Sequence, residues 1–378
     1  MLEIRRGTPA DYPLLMKQVV ESFRINTPWH NRFEVNYPDM VRPDAESMAQ
    51  WRLAFVDGEL AGGLILVPRR LKIGATEITF GGIGHVHCWP KFRKEGVFTA
   101  IMQRAIQDME AEGIPLSMLS GDRFRYGHFG WELAGSQREA HIWLRARRFD
   151  GPAERPDISE FREYLGDDED TVKIMKAAEK SVSHPVRSLE ETRRVLQCPN
   201  RVTYLYDHEG VFAYMTFRGP AILEYGGEVD GVDRILRYAL HAADMTVTLP
   251  PEEASGELED LFMKYTQYYV IQTAEQVRVN SLQKTLAAYL PWLEERLQGW
   301  TGHRVLAIEG GEKVAIQVAD GKVTILPTEE SADLTLSQMD VAPFLLGPSI
   351  PTAVRKNHDA FWRTAFPLPF YWPPLTHV

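Results

Sequence analysis

The chain has 378 residues, of which 44% are hydrophobic and 25% are charged. This is the balance of a folded globular protein, and it excludes a disordered or collagen-like chain. The formal net charge of −10 argues against non-specific binding to nucleic acid phosphates. Only Cys88 and Cys198 are cysteines, no signal-like apolar core follows Met1, and no apolar run is long enough to span a membrane. We therefore expect a cytoplasmic multidomain protein that has neither nucleic acid nor a membrane as partner.

Residues 1–150 have the pattern of a compact α/β unit. Thr8 suits a helix N-cap, Pro9 suits the first helical position, and Asp57-Gly58 favours a tight hairpin turn. The pattern predicts an amphipathic helix over Gly96–Ala111. It also predicts strands over Leu2–Arg6, Trp51–Val56, Leu60–Val67, Leu71–Ile78, Ile83–Trp89, Pro115–Ser120 and Arg138–Leu144.

Two further units follow. A stretch rich in proline, glycine and acids at residues 149–159 marks a boundary. Residues 151–283 alternate helices and strands in an order that resembles the first unit without its basic, glycine-containing turn. Residues 284–378 form the last predicted unit, with a helix over Leu282–Leu297 and strands over Val305–Glu309, Lys313–Ala319 and Lys322–Pro327. Its aromatic and proline-rich tail carries so much apolar surface that we expect it to be packed.

The segment Ile83–Ala100 carries the clearest chemical signal. A predicted strand stops at Pro90, a basic turn follows at Lys91-Phe92-Arg93-Lys94, and Gly96 opens a helix. Free N–H groups at a helix N-terminus, close to positive charge, form a site suited to a pyrophosphate. Glycine lets the phosphate approach the backbone without a Cβ in the way. The alternative interpretation is an ordinary turn whose basic side chains are solvated.

Two motifs resemble the GNAT acetyltransferases. Arg93-x-x-Gly96 after a strand resembles their acetyl-CoA pyrophosphate loop, although Phe98 stands where the family has a small residue. Tyr126-Gly127-His128-Phe129-Gly130-Trp131 resembles their Tyr-x-x-Phe-Gly-aromatic stretch. In that family the tyrosine protonates the departing sulfur of coenzyme A, whereas the alternative here is a turn tyrosine that only packs. The resemblance implies acetyl-CoA as co-substrate, bound by Val86, His87, Cys88, Arg93, Lys94, Glu95, Gly96, Val97, Phe98 and Thr99.

The layout of the whole chain resembles the Eis-type (enhanced intracellular survival) N-acetyltransferases. That resemblance implies a mixed α/β (α+β) fold with a catalytic GNAT domain, a second GNAT-like domain without a cofactor site, and a sterol-carrier-like α/β domain. It also implies a homohexamer, Tyr126 as general acid and the C-terminal carboxylate, on Val378, as general base. An ordinary free terminus is the alternative for Val378.

Other residues near the motifs leave alternatives open. His85 and His87 lie on one face of a predicted strand, because side chains alternate, and either is an alternative base. We expect no metal site, since no third ligand is evident, and we do not expect Cys88 to act as a nucleophile.

The loop from Phe23 to Pro38 is the predicted acceptor site. Phe23, Trp29, His30 and Phe33 would form aromatic walls for a cationic primary amine, with Glu34 and Asp39 close by; packing on the domain is the alternative. Aminoglycosides, polyamines and lysine side chains all fit as acceptors. Two other functions stay open: a carrier of apolar ligands with an inactive GNAT site, and a long-chain acyltransferase.

Overall fold

β-Strands form three sheets that organise the chain. The computed structural model describes residues 1–24, 33–144, 154–357 and 359–376. The strands of this described part are β1 (Leu2–Arg6), β2 (Trp51–Val56), β3 (Glu59–Ile73), β4 (Thr76–Cys88), β5 (Leu116–Leu119), β6 (Glu132–Ala134), β7 (Gln137–Ile142), β8 (Phe161–Glu163), β9 (Ser183–Val186), β10 (Val202–His208), β11 (Val211–Arg218), β12 (Ala221–Gly227), β13 (Met245–Leu249), β14 (Thr266–Gln272), β15 (Glu275–Val279), β16 (Gly302–Ile308), β17 (Lys313–Ala319), β18 (Lys322–Pro327) and β19 (Leu334–Leu336).

Helices cover the faces of these sheets. They are α1 (Tyr12–Arg24), α2 (Phe33–Asn36), α3 (Ala45–Ala49), α4 (Val97–Glu112), α5 (Arg123–Gly127), α6 (Asp168–Ala178), α7 (Leu189–Leu196), α8 (Val229–Leu240), α9 (Glu257–Tyr265), α10 (Leu282–Ala288), α11 (Leu290–Arg296), α12 (Gln338–Leu346), α13 (Thr352–Lys356) and α14 (Ala360–Ala365). Short 3₁₀ turns lie at Pro9–Asp11, Pro90–Phe92, Ile158–Glu160, Glu252–Ala254 and Pro374–Thr376. Within the described ranges no helix is both long and apolar enough to cross a membrane.

The first sheet has the strand order β1-β2-β3-β4-β5-β15-β6, and β9 pairs with β3. The predicted hairpin is confirmed: β2 and β3 meet across Asp57 and Gly58, both of which have positive φ. The predicted strand Leu71–Ile78 is wrong, because the chain reverses inside it at Gly74 (φ +58) and so divides β3 from β4. Helix α4 packs on one face of this sheet, and α1 packs on the other.

The second sheet has the strand order β14-β7-β13-β12-β11-β10-β8. Alternate residues of β11 show its two covered faces. Met215 packs with α8 and α9, whereas Tyr214 packs with α6 and α7. Along the described part of residues 151–283, helices and strands alternate as predicted.

The two sheets exchange strands. β7 (Gln137–Ile142) pairs with β13 and β14 of the second sheet, and β15 (Glu275–Val279) lies between β5 and β6 of the first sheet. The prediction that the strand near Arg138–Leu144 belongs to the first unit is therefore wrong. Its inward residues Ala140 and Ile142 bury themselves in the core of the second sheet, and sequence order carries no information about such pairing. The predicted domains are continuous in sequence, whereas each of the two larger sheets contains a strand from outside its predicted domain.

The last sheet, β18-β17-β16-β19, contains the three predicted strands. The single helix predicted over Leu282–Leu297 is divided into α10 and α11 at Tyr289. Pro291 causes the division, because its nitrogen has no hydrogen to donate to the preceding turn. The tail is packed, as predicted. Its buried residues include Phe361, Trp362, Phe366, Leu368, Phe370, Tyr371, Trp372 and Leu375.

Candidate active site

A cleft opens where β4 and β5 separate. The two strands pair in parallel only from Phe80–Ile83 to Leu116–Leu119, and β4 then continues to Cys88 without β5 beside it. The resulting cleft has a volume of about 1120 Å³. It is lined by Ser22, Phe23, Phe33, Tyr37, Ile83, Gly84, His85, Val86, His87, Cys88, Phe92, Arg93, Lys94, Gly96, Val97, Phe98, Thr99, Ser120, Gly121, Asp122, Arg125 and Tyr126.

Most predicted site residues therefore meet in one place. Of the predicted cofactor residues, all but Glu95 line the cleft, and Glu95 is exposed in the turn beside it. Tyr126, Phe23 and Phe33 line the same cleft. Trp29, His30 and Val378 lie outside the described residues.

The basic turn leads into the N-terminus of α4. Gly96 is the N-cap and has φ +78, a conformation that disfavours residues with a Cβ. A Cβ built on Gly96 would have nothing within 4 Å, so open space lies in front of the first helical turn. The N–H groups at the start of that turn have no partner within the helix, and the turn contains no acidic residue. Exposed Arg93 and Lys94 add positive charge. These groups fit a pyrophosphate.

Tyr126 lines the same cleft from a capped helix and a closely packed position. It lies in α5, a short helix whose N-cap Asp122 accepts hydrogen bonds from the backbone N–H groups of Phe124 (3.1 Å) and Arg125 (3.2 Å). Gly121 has φ +138, and a Cβ there would come within 2.9 Å of the Tyr126 ring. Burial raises the pKa of Tyr126. The phenol therefore keeps its proton at neutral pH and is suited to donate it.

Phe98 supports Tyr126 directly. Its ring centroid lies 6.1 Å from that of Tyr126 and 5.9 Å from that of Phe129. The large residue that departs from the family pattern therefore packs against the second motif instead of disrupting the turn. Sequence reasoning missed Gly121 and Asp122. The available signal was the acid followed at once by the helix of the tyrosine motif, which is typical of an N-cap.

His85 and His87 lie in an irregular part of β4. His85 has φ +54, and the register with β3 shifts here, so the simple alternation used in the prediction does not apply. His85 sits among the rings of Phe23, Phe33, Tyr37 and Trp51 at centroid distances of 6.3, 4.7, 4.9 and 5.8 Å, respectively. His87 donates from Nδ1 to the carbonyl oxygen of His85 at 3.0 Å. Burial lowers the pKa of His85 to about 3 and that of His87 to about 4, so both are neutral at pH 7.

The acids predicted beside the acceptor site do not line the cleft. Asp39 is buried in an ion pair with Arg69, and both side chains are only 6% exposed. The expectation that Asp39 would attract a cationic acceptor is therefore wrong, because Arg69 already neutralises it. Among the described lining residues, Asp122 is the single acid, and it caps α5.

Cys88 and the tail complete the surroundings. Burial raises the pKa of the Cys88 thiol, and its sulfur lies 3.6 Å from the carbonyl oxygen of Phe92. A protonated thiol without a base beside it is a poor nucleophile.

The tail runs along the second sheet, where Leu375 packs in the core that α6 and α7 cover. Within the described ranges, no group of three or more His, Cys, Asp or Glu residues is placed to hold a metal ion.

Comparison with known proteins finds a matching family profile and solved structures with a similar fold. Residues 3–134 match the profile of the family described as "Acetyltransferase (GNAT) domain". No curated protein matches the chain in sequence.

Several solved structures share the fold over nearly the whole chain. A probable N-acyltransferase from Enterococcus faecalis is 15% identical, with a TM-score of 0.73 over 99% of this chain and 98% of that one. A GCN5-related N-acetyltransferase from Anabaena variabilis is 16% identical, with a TM-score of 0.68 over 99% and 98% of the two chains. Eis1 from Mycobacterium abscessus is 14% identical, with a TM-score of 0.64 over 98% and 99%.

The family match covers two of the elements that line the cleft. The matched residues 3–134 contain the α4 N-terminus and Tyr126, so the family profile covers both motifs. At these identities the solved structures support the fold alone. Residues 3–134 thus match a GNAT acetyltransferase domain, and the chain as a whole shares its overall fold with Eis1 and the two other solved proteins.

Proposed function

We propose that this chain transfers the acetyl group of acetyl-CoA to a primary amine of the aminoglycoside, polyamine or lysine type. One observation carries the proposal: a single cleft brings together the α4 N-terminus, the protonated Tyr126 and an aromatic wall that contains Phe23 and Phe33. A simple anion-binding site would need the first feature and would have no use for the other two.

The cofactor would bind along β4 and the basic turn. The backbone N–H groups of Val97, Phe98 and Thr99 would donate to the pyrophosphate, with Arg93 and Lys94 supplying charge. The backbone of Val86, His87 and Cys88 would hold the pantetheine arm and polarise the thioester carbonyl. Glu95 would contribute through its backbone, because its carboxylate would repel a phosphate.

The reaction would be a direct attack. The amine gives up a proton to the base, and its nitrogen attacks the thioester carbonyl carbon to form a tetrahedral intermediate. The carbon–sulfur bond then breaks, and the coenzyme A thiolate takes the phenolic proton of Tyr126. The nitrogen of the new amide loses its second proton to solvent, the base releases the proton that it took, and Tyr126 regains a proton from solvent. No covalent enzyme intermediate is needed, which agrees with the raised pKa of Cys88.

We assign the base to the carboxylate of Val378. A carboxylate loses its charge when it accepts a proton. Protonation of His85 or His87 would instead create a positive charge in a buried position, which desolvation opposes. A negative terminus would also attract a cationic amine, a role that Asp39 cannot fill while it is paired with Arg69.

The acceptor would lie against aromatic rings. The rings of Phe23 and Phe33 meet edge to face at a centroid distance of 5.4 Å, and Trp29 and His30 are proposed to complete the wall. Ring faces attract an ammonium group before it is deprotonated.

The test measures thiol release from acetyl-CoA with a panel of cationic amines. Tyr126→Phe should lower kcat by roughly 10²–10⁴-fold at saturating acetyl-CoA, the usual contribution of a general acid. Tyr238→Phe, in α8 of the second sheet, is the matched control and should keep the wild-type rate. A Tyr126→Phe variant with kcat within threefold of wild type would refute the assigned role, and absence of amine-dependent release from the wild type would refute the acetyl transfer.

A cavity in the last unit favours a second candidate function, the binding of an apolar ligand. It has a volume of about 480 Å³ and is lined mainly by apolar side chains, among them Phe344, Ile350, Val354, Trp362 and Phe366. A chain that binds an apolar fluorescent dye but releases no thiol with any amine would support a carrier instead of an enzyme.

Three finer features extend the proposal. The second sheet, with β7 and its covering helices, would be a GNAT-like domain without a cofactor site, and residues 284–378 a sterol-carrier-like domain. The chain would assemble as a homohexamer, as the Eis-type resemblance implies. It would act in the cytoplasm, where acetyl-CoA is available.

A further inference from the structure

The outer strand of the second sheet has a free edge. β14 pairs with β7 on one side, and among the described residues no strand pairs with its other side. Backbone N–H and C=O groups along that side therefore have no strand partner. An unpaired edge is a ready template for another strand.

The sequence of β14 makes this edge unusual. Its seven residues, TQYYVIQ, contain no charge and no proline. Four consecutive side chains are about half exposed: Tyr268 (49%), Tyr269 (46%), Val270 (51%) and Ile271 (60%). Strand edges that face water are normally short, charged, bulged or interrupted by proline. β14 has a register irregularity at its start, between Thr266 and Tyr268, and its remaining residues have none of these protections.

The other outer strands show the contrast within this chain. β1 carries Glu3, Arg5 and Arg6, and β18 carries Lys322 and ends at Pro327. β6, β8 and β19 have only three residues each. The other outer strands are therefore protected by charge, proline or short length, whereas β14 has only the irregularity at its start.

We propose that β14 pairs in antiparallel register with β14 of a second copy of this chain, across a two-fold axis. An uncharged strand is self-complementary, because no like charges meet when it faces itself, and a two-fold axis uses the same patch on both copies. A sheet of seven strands in each copy would become continuous across the interface.

Both faces of the strand contribute apolar contact. Tyr269 and Ile271 lie on the face of the buried Ala140, while Tyr268 stacks on His141 at a centroid distance of 4.4 Å on the other face. The four side chains together expose roughly 400 Å² per copy, given the size of such residues. Full coverage of these side chains in two copies would bury roughly 800 Å², and the backbone and neighbouring residues would have to supply the rest of the ~1,000 Å² of a specific interface.

This inference does not depend on acetyl transfer. None of the β14 residues lines the cleft, so failure of the interface would leave the proposed reaction untouched. Variants at this edge should keep the wild-type rate of thiol release per chain.

The first test measures the mass of the full chain in solution by light scattering. A single chain has a mass of 43.1 kDa, and we expect the wild type to contain at least two chains. Ile271→Lys places a charge on this uncharged apolar strand in both copies and should reduce the wild-type mass at least twofold. Leu165→Lys, at a side chain that is 79% exposed and lies in a loop, is the matched control and should keep the wild-type mass. A single-chain mass for the wild type at about 50 µM, or an unchanged mass for Ile271→Lys, would overturn the proposal.

The second test examines the register. In antiparallel self-pairing, the residue on the two-fold axis faces its own copy. Single cysteine substitutions at Tyr268, Tyr269, Val270 and Ile271 should therefore give a reducible cross-linked dimer at one or more positions. A cysteine replacing Leu165 should give none. Absence of the cross-link at all four positions would contradict the antiparallel pairing.

Discussion

Replacing Gly96 with alanine separates the structural role of the glycine from its role in binding. Gly96 has φ +78, and alanine in this region costs about 1 kcal/mol. The added methyl group would touch no protein atom within 4 Å, so packing adds no further loss. The same methyl group would stand in the open space before the α4 amides, where we place the pyrophosphate.

The expected effect on binding exceeds the effect on folding. Loss of one hydrogen bond to a charged group costs roughly 1.5–3 kcal/mol, which corresponds to a rise of roughly 10- to 150-fold in the KM for acetyl-CoA. Gly58→Ala is a close control, since Gly58 has φ +81 and likewise has nothing within 4 Å of a built Cβ, yet it lies in the β2–β3 turn. Both variants should lose about the same stability, and Gly58→Ala should keep its KM.

Steady-state kinetics with acetyl-CoA as the varied substrate and thermal unfolding of each variant would decide the question. If the KM of Gly96→Ala lies within twofold of that of Gly58→Ala, the α4 N-terminus does not hold the pyrophosphate. If the two melting temperatures differ by much more than a few degrees, the equal conformational cost assumed for the two glycines is wrong.

Three further predictions concern pH, the tail and the strand exchange. The pKa of His85 falls from 6.5 to about 3 on folding, so its stabilising effect is complete above pH 6.5 and is lost as the pH drops towards 3, at about 1.4 kcal/mol per pH unit. His85→Asn, which tolerates a positive φ, should weaken the acid dependence of the unfolding free energy, and an unchanged pH slope would contradict this. A chain that ends at Thr376 retains the packed Leu375, so it should melt like wild type but lose kcat if Val378 is the base; wild-type kcat would remove Val378 from the mechanism. A chain that ends at residue 150 lacks β15, which separates β5 from β6, and should not unfold cooperatively in calorimetry; a sharp transition would show that the exchange is dispensable.

Local signals in the sequence were sufficient to identify residues that the structure brings together in the cleft. A basic turn, a glycine and a helix are contiguous, so Arg93 and Gly96 could be assigned without knowledge of the fold. The same holds for Tyr126, whose motif is a short turn followed by glycine. Each of these features depends on backbone conformation within a few residues, and each lines the observed cleft.

Ion pairs and strand pairings between residues far apart in the chain could not be predicted from the sequence. Asp39 looked available because Arg69, its buried partner, lies thirty residues away in the chain. β7 was assigned to the wrong sheet because its partners β13 and β14 come more than a hundred residues later. A strand pattern identifies the side that will be buried, but it does not identify the sheet against which it will be buried.

The two larger sheets show why a shared topology does not give two equal binding sites. β12 and β13 pair in parallel only at Ala221–Ile222 and then separate, as β4 and β5 do. In the second sheet, however, Tyr371 and Pro373 of the tail fill the gap and leave a cavity of only about 30 Å³. The helix that follows, α8, begins after Glu228 and carries Asp230 in its first turn, so negative charge lies where the first sheet offers Arg93. An anion therefore meets free amides and positive charge at one gap, and acids and packed side chains at the other. We expect the same fold to bind one acetyl-CoA per chain for this reason.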